Sequence, residues 1–326
     1  MSAAAHSIYL ESCLDPLASF LARAEVTDIY INRPAEIWVE CLGGQIETHQ
    51  IPALTAELLL RLARQVAAST AQGVSREHPL LAASLPDGAR IQVILPPATR
   101  GDIAIAIRKH VVSALSLEEY QAGGGFAEAQ ITIGAERTAK APLALEASDP
   151  LAMLRQAVHS RRNILISGGT SSGKTTFLNS LLREIPAHER LILIEDTPEL
   201  QVTQPNMVGL IAARGSQGEA EVRADDLLIA ALRMRPDRII LGEIRGHEAV
   251  TFLRAVNTGH PGSLSTIHAD SPLRAIDQLA LLVLQTGMRM SWDDVVTYVR
   301  RSLDVIVQLR HGAGQRGIDA IYVVGE

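Results

Sequence analysis

The chain has 326 residues, enough for one large or two medium-sized domains. Hydrophobic residues make up 47% and charged residues 20%, a globular composition that excludes a disordered protein. A net charge of −6 and only 3% aromatic residues argue against a generally basic nucleic-acid binder that stacks single-stranded bases, although a local basic groove stays possible.

The first 140 or so residues predict a mixed α/β module of short strands and two helices. Periodic apolar residues and turn signals mark these elements, with Pro16 interrupting the first helix, Thr55 able to cap the second and a hairpin turn at Pro86–Gly88. The expected helices cover residues 8–24 and 55–71, and the expected strands cover 27–32, 36–41, 45–51, 90–95 and 102–109.

Two arginines occupy the polar faces of the last two strands. Arg90 alternates with Ile91 and Val93, and Arg108 lies opposite the face that carries Ile107. From the pattern alone, both arginines are interpreted as part of a solvated sheet surface.

A connector is predicted over residues 121–150. Gly123–Gly125 suit a flexible hinge, and 135–150 is rich in alanine with scattered charges. After Pro150 strands and helices alternate, which is typical of a parallel sheet with crossover helices. The predicted organisation is an α+β N-terminal domain over 1–120, a linker over 121–150 and an α/β C-terminal domain over 151–326.

The most specific motif follows the apolar, strand-like run 163–167. It matches the phosphate-binding pattern G-x-x-x-x-G-K-[ST] between a strand and a helix. Backbone N–H groups and the helix N-terminus would hold phosphate oxygens, Lys174 would bridge the β- and γ-phosphates, and the Thr175 hydroxyl would hold Mg²⁺. The predicted nucleotide contacts are Gly168, Gly169, Thr170, Ser171, Ser172, Gly173, Lys174, Thr175 and Thr176.

Hydrolysis also requires acids that handle magnesium and water. One apolar strand ends in Glu195 and Asp196, and another ends in Glu243. Because ligands bind outside the carboxyl ends of parallel strands, these acids are expected at the same crevice as the phosphate loop. Glu243 is the candidate that orients or deprotonates water, and Glu195 the candidate that positions Mg²⁺, partly through its water shell. Asp196 either assists or caps a helix.

Basic residues surround the same elements. Arg233, Arg235 and Arg245 flank the strand that ends in Glu243, where they would either neutralise a transferred phosphoryl group or pair with nearby acids. His260 and His268 border the next strand without a third metal ligand. They would read the γ-phosphate or hydrogen-bond to a catalytic acid, with a structural role as the alternative.

Taken together, four blocks resemble the secretion ATPase superfamily of type II and type IV secretion, pilus and conjugation machines. They are the phosphate loop 168–176, Glu189–Thr197 (similar to the Asp box), Leu232–Gly246 (similar to an atypical Walker B that ends in Glu) and Thr258–His268 (similar to the His box). Ile31–Pro34 and the compact length are most similar to the traffic ATPase of type IV secretion systems.

The resemblance implies a RecA-like C-terminal ATPase domain and Mg²⁺-dependent hydrolysis of ATP. It gives Glu243 the hydrolytic role and Glu195 a magnesium-side role, and it makes His260 and His268 phosphate sensors or couplers. The family's N-terminal domain supplies arginines to the phosphates. That implies a role for Arg90 or Arg108, and which of the two matches stays open.

The resemblance also implies a homohexameric ring at the cytoplasmic face of the inner membrane, with components of the secretion machinery as partners. Membrane association would be peripheral at most, because no apolar stretch approaches the roughly 20 residues of a span and no polybasic anchor is present. The first residues do not read as a signal peptide, which predicts a cytoplasmic protein.

Several alternatives are compatible with the sequence. With only two cysteines the chain lacks the four-cysteine zinc module of some type II export ATPases. Pilus-assembly relatives of the tad type are the nearest competitor. A nucleic-acid motor on the same fold and a nucleotide-dependent scaffold that hardly turns over ATP are the others, and direct sequence-specific recognition of nucleic acid is not expected.

Overall fold

The computed structural model describes residues 3–42, 44–70, 72–109, 115–134, 149–212, 222–312 and 315–324. The described residues up to 109 form one compact unit, and those from 115 onward form a second. We call them the N-terminal unit and the C-terminal unit. Among the described residues, none of the helices combines the length and the apolar character that crossing a membrane would require.

The N-terminal unit is a six-stranded antiparallel sheet in the order β3-β2-β1-β6-β5-β4. The strands are β1 (Val26–Arg33), β2 (Glu36–Cys41), β3 (Ile46–Gln50), β4 (Leu80–Ser84), β5 (Arg90–Ile94) and β6 (Ala104–Arg108), and the helices are α1 (Ala3–Leu14), α2 (Ala18–Leu21) and α3 (Ala56–Ser69). Alternate strand residues pack with α1 and α3 in one apolar core.

Local sequence explains the helix boundaries of this unit. The helix predicted over 8–24 is split, because Pro16 lies in a 3₁₀ turn, Asp15–Leu17, between α1 and α2. The Thr55 hydroxyl accepts a hydrogen bond from the backbone N–H of Leu58 at 3.2 Å and caps α3 as predicted.

The C-terminal unit is built on an eight-stranded sheet in the order β10-β9-β11-β12-β8-β13-β14-β7. The strands are β7 (Gln130–Ile133), β8 (Ile164–Ser167), β9 (Leu191–Glu195), β10 (Met207–Ile211), β11 (Arg238–Leu241), β12 (Leu264–Ile267), β13 (Val305–Gly312) and β14 (Gln315–Val323). Its helices are α4 (Leu117–Ala122), α5 (Pro150–His159), α6 (Lys174–Leu182), α7 (Ala224–Ala231), α8 (Glu248–Asn257), α9 (Pro272–Gln285) and α10 (Trp292–Ser302).

In the spatial order of the sheet, the first six strands, β10-β9-β11-β12-β8-β13, are parallel to one another. Among the described strands of this sheet, only the β13–β14 pair is antiparallel. Residues of α4 to α6 form the core on one face of the sheet, and residues of α7 to α10 form the core on the other. This three-layer arrangement confirms the predicted α/β class with a parallel-rich sheet.

Residues 121–134 were predicted as linker, and this prediction is wrong because they belong to the C-terminal unit. They contain the end of α4 and β7, which pairs with β14 in the C-terminal unit. Gly125 is required by packing and not by flexibility, because a Cβ atom there would lie 2.2 Å from the Tyr120 ring. The remainder of the expected linker, 135–148, lies outside the described residues.

A buried ion pair fixes the beginning of β11. The fully buried guanidinium of Arg238 donates to both carboxylate oxygens of Glu189, at 2.6 and 2.9 Å, and to the Val158 carbonyl at 2.9 Å. Such a buried charge is tolerated because it is paired and hydrogen-bonded. The strand that leads to Glu243 is therefore anchored at its opposite end.

Candidate functional site

The phosphate loop connects β8 to α6, as the motif predicts. Gly173 has φ +90° and precedes the first residue of α6, and Ser171 has φ +58°. Gly168 is demanded by close approach, because a Cβ atom there would lie 2.5 Å from the Ser172 hydroxyl. These residues curl the backbone tightly in front of the helix N-terminus, where N–H groups are available to an anion.

Lys174 is buried within the loop. Its Nζ donates to the carbonyls of Gly168 at 2.8 Å and Gly169 at 2.9 Å, and it lies 3.4 Å from Nδ1 of His268. Burial is the main cause that lowers the pKa of Lys174 to about 8, and the nearby Glu243 carboxylate opposes that effect. The ammonium is thus held in the loop but is easier to deprotonate than an exposed lysine.

Thr175, the predicted magnesium ligand, hydrogen-bonds to an acid that the sequence reasoning missed. Its hydroxyl donates to Oε2 of Glu199 at 3.1 Å. Glu195 is buried, and its Oε1 accepts hydrogen bonds from the backbone N–H groups of Glu199 and Leu200, both at 2.7 Å. Glu195 therefore shapes the turn after β9, and Glu199 is the acid whose contact with the Thr175 hydroxyl is direct.

The Glu243 carboxylate follows β11 and reaches the same edge of the sheet. Oε1 of Glu243 lies 2.9 Å from Nε2 of His268, and Oε2 forms an ion pair with Arg245. Partial burial lowers the pKa of His268, with Lys174 and Arg245 acting in the same direction and Glu243 against it. The contact between His268 and Glu243 is a close approach without hydrogen-bond geometry, because Oε1 of Glu243 is buried and has no hydrogen-bond partner among the described residues.

The three arginines near β11 have different positions. Arg245 pairs with Glu243 and lies 3.5 Å from Asp196, so for this residue the contacts agree with the salt-bridge interpretation. Arg233 and Arg235 are exposed and precede β11, at the amino edge of the sheet, away from the phosphate loop. Arg235 has φ +54°.

His260 lies away from His268 and the phosphate loop, and its role as a phosphate sensor or coupler stays a prediction. Nδ1 of His260 hydrogen-bonds to the Pro236 carbonyl at 3.2 Å. Both residues precede parallel strands, β12 and β11, so they lie at the amino edge of the sheet. His268 follows β12 and lies at the carboxyl edge, a strand length of roughly 13 Å away at ~3.3 Å per residue.

Arg90 and Arg108 lie in the N-terminal unit. They are directly opposite each other on β5 and β6, and Arg108 in turn lies opposite Asp28 on β1. The Arg108 guanidinium donates through Nε to the Asp28 carboxylate at 3.0 Å. The row therefore places two guanidinium groups side by side on one face of the sheet.

Known proteins resemble this chain over most of its length. The sequence profile of a family described as "Type II/IV secretion system protein" matches residues 11–311. The chain is 39% identical over 325 residues to the type IV secretion system protein VirB11 of Bartonella quintana, covering 95% of this chain and 91% of that protein.

Solved structures give the same result. The VirB11 ATPase of the Brucella suis type IV secretion system, in complex with sulphate, is 35% identical with a TM-score of 0.52, and the match covers 97% of each chain. The pilus retraction motor PilT with bound ADP is 20% identical with a TM-score of 0.59, covering 95% of this chain and 82% of that one. At that identity the second likeness concerns the fold alone.

Proposed function

Because this chain belongs to the family of type II/IV secretion system proteins, we propose that it converts ATP and water to ADP and phosphate, with Mg²⁺, as the motor of a type IV secretion machine. The chain is an ATPase of a secretion system, as its relatives establish. The proposal adds the residues that perform the hydrolysis, the metal and the assembly.

One observation supports the chemistry most strongly. Glu243, His268 and Lys174 belong to three different parts of the chain, and each lies within 3.4 Å of another at the carboxyl edge of the parallel sheet. This is where a doubly wound sheet binds its ligand. A scaffold that only bound nucleotide would not need a carboxylate held beside the phosphate lysine.

We assign phosphate binding to the loop Gly168–Thr176. Its backbone N–H groups and the N-terminus of α6 would hold the phosphate oxygens. The Lys174 ammonium, which now donates to two loop carbonyls, would exchange them for oxygens of the β- and γ-phosphates.

Glu243 is the proposed base. A water oxygen attacks the γ-phosphorus, the bond to the bridging oxygen breaks, ADP keeps that electron pair, and Glu243 accepts a proton of the water. Arg245 and His268 contact the two carboxylate oxygens and fix their direction. His268 would also sense the γ-phosphate, since its ring lies beside both Lys174 and Glu243.

The oxygen donors near the loop fit Mg²⁺, which prefers hydroxyl, carboxylate and water oxygens. Thr175 and Glu199 would hold the ion, and Glu195 would act on it indirectly by fixing the turn that presents Glu199. Mg²⁺ supplies positive charge that neutralises the phosphate oxygens as the γ-phosphoryl group is transferred.

Arg90 and Arg108 are proposed as further phosphate contacts from the N-terminal unit. Their position opposite each other supports the proposal, because an anion would relieve the repulsion between two adjacent guanidinium groups. Which of the two arginines makes the direct contact is decided by comparing Arg90→Gln with Arg108→Gln.

We further propose that the protein works as a homohexameric ring at the cytoplasmic face of the inner membrane, attached peripherally to other secretion components. The type IV secretion relatives support the partners, and the family resemblance supports the ring. Light scattering of the purified protein with and without Mg-ATP, with phosphate release measured on the same fractions, tests this proposal. An active species of about six chains would support the ring motor, and activity confined to monomers or dimers would contradict it.

Lys174→Ala tests the proposed ATP hydrolysis independently of the assembly. This substitution removes the only ammonium of the loop, and we expect phosphate release to fall to background at every Mg²⁺ concentration. Wild-type protein that releases no phosphate in any oligomeric state would contradict the proposed hydrolysis.

A further inference from the structure

Gln308 is a buried polar residue next to the site, and it has no role in the proposed chemistry. It interrupts the apolar run of β13, where Val305, Ile306, Val307 and Leu309 are all buried. A buried amide is costly unless its donors and acceptor are satisfied, so an apolar residue would suit this strand better on packing alone.

Both ends of the Gln308 amide are hydrogen-bonded, and one of the partners directly precedes the phosphate loop. Its Oε1 accepts a hydrogen bond from the Ser167 hydroxyl, and Ser167 is the residue directly before the loop. Its Nε2 donates to the carbonyls of Ala269 at 3.2 Å and Leu309 at 3.0 Å. Ala269 directly follows His268.

These bonds cross one strand of the sheet. Ser167 on β8 is paired with Gln308 on one side and with Ile267 of β12 on the other. Gln308 therefore reaches from β13 past the end of β8 to the segment that follows β12. The segment with His268 and Ala269 lies beyond the backbone hydrogen bonds of the sheet, because β12 ends at Ile267.

The contacts form a closed circuit around the site. From Ser167 the chain leads to Gly168, whose carbonyl accepts from Lys174, and Nζ of Lys174 lies 3.4 Å from His268. From His268 the chain leads to Ala269, and Gln308 returns from there to Ser167.

We propose that Gln308 is a positioning residue that holds His268 at a fixed distance from the phosphate loop, so that nucleotide bound by Lys174 sets the contact between His268 and Glu243. This inference rests on the proposed function. Gln308 does not touch the reacting atoms, and it acts through the carbonyl of Ala269 and the hydroxyl of Ser167.

The test compares Gln308→Met with a matched control, Gln204→Met. Gln204 is also buried in the C-terminal unit and donates to two backbone carbonyls, those of Leu182 and Ile185, away from His268. Methionine conserves the length of the side chain and removes the hydrogen bonds in both variants. Thermal unfolding measures the structural cost that the two variants share.

We expect Gln308→Met to lower kcat by about tenfold or more while KM for ATP changes less than threefold. Gln204→Met should lose thermal stability to a similar extent and keep kcat. The acid limb of the pH profile of kcat should also move to higher pH in Gln308→Met only. A released His268 ring becomes better hydrated and moves away from Lys174 and Arg245, which keep its pKa low, although it also leaves Glu243.

Ser167→Ala gives a second, smaller change that removes only the bond between the hydroxyl and Gln308. Ser167→Ala should lower kcat, as Gln308→Met does. Ser167→Thr, which keeps the hydroxyl, should keep kcat closer to that of the wild type. The double variant Ser167→Ala with Gln308→Met should lose less than the product of the two single effects. This cycle remains informative if Gln308→Met alone folds poorly.

An active wild-type protein whose Gln308→Met and Ser167→Ala variants keep kcat and pH profile would overturn this inference and leave the proposed function intact. Equal losses of kcat in Gln308→Met and Gln204→Met would overturn it too, because that result shows a general loss of stability. Absence of ATP hydrolysis in the wild type would contradict both proposals.

Discussion

The Thr175 hydroxyl donates a hydrogen bond of 3.1 Å to Glu199, whereas Glu195, four residues earlier, accepts bonds from the backbone of the same turn. The two acids therefore have separable roles. Glu199 has the direct contact with the proposed magnesium ligand, and Glu195 maintains the turn that carries Glu199.

Exchange of these acids should distinguish the roles. Glu199→Gln should raise the Mg²⁺ concentration that gives half-maximal phosphate release by about tenfold, because one carboxylate charge near the ion is lost. Glu195→Gln should mainly lower the thermal stability, because an amide is a weaker acceptor for two buried N–H groups. Magnesium titrations of both variants decide the question, and a larger magnesium effect in Glu195→Gln would contradict the assignment.

The lowered pKa of Lys174, about 8, predicts a pH dependence of ATP binding. Bound phosphate favours the ammonium form, so binding takes up a proton once the pH exceeds the pKa of the free protein. The dissociation constant for ATP should then rise up to about tenfold per pH unit above pH 8, and stay nearly level just below it. Calorimetric titrations from pH 7.5 to 9.5 measure it, and a constant affinity over that range would be inconsistent with a buried, titrating Lys174.

The row of Asp28, Arg108 and Arg90 predicts opposite effects of acid and base substitutions. If Arg90 contacts phosphate as proposed, Arg90→Gln should weaken ATP binding several-fold, because one of the proposed phosphate-binding cations is lost. Asp28→Asn should keep or strengthen it, because the Arg108 guanidinium loses its carboxylate partner. Asp28→Asn should also destabilise the N-terminal unit by up to about 1 kcal/mol, because the ion pair with Arg108 is lost. Wild-type affinity in Arg90→Gln and in Arg108→Gln would remove both from the site.

Neighbouring glycines in the expected hinge should respond differently to alanine. Gly125→Ala should destabilise the protein by about 1–3 kcal/mol, because its Cβ would overlap the Tyr120 ring at 2.2 Å. Gly123→Ala, whose Cβ would meet only carbonyl oxygens at 3.5 Å and beyond, should change stability by less than half of that amount. Thermal unfolding measures the stability of both variants, and we expect their ATPase activity to be unaltered. Equal stabilities of Gly125→Ala and Gly123→Ala would instead support a flexible connector here.

Much of the fold is readable from local patterns. Alternating apolar residues predict β1, β2, β5 and β6, and the turn signal at Pro86–Gly88 lies between β4 and β5 as expected. The phosphate loop is predictable because its glycines, lysine and threonine are adjacent in the chain. These features depend on spacing within a few residues, which a sequence displays directly.

The features that were missed depend on contacts between distant residues. The contact of Glu199 with Thr175 depends on how the turn after β9 folds back, and the pattern of an acid after a strand does not contain that information. His260 and His268 are close in sequence, yet β12 lies between them and places them at opposite edges. For α4 a local signal existed: Ser116 and Glu119 form a capping box that the composition of the segment obscured.

In the proposed reaction Glu243 accepts the proton of the attacking water. Glu243→Gln, with phosphate release and binding of ATP measured on the same preparation, tests this role of the carboxylate. We predict ATP affinity within a few-fold of the wild type, because Lys174 and the loop are unchanged, and phosphate release at least about 100-fold slower, because the amide cannot take a proton. Phosphate release at the wild-type rate would contradict this role.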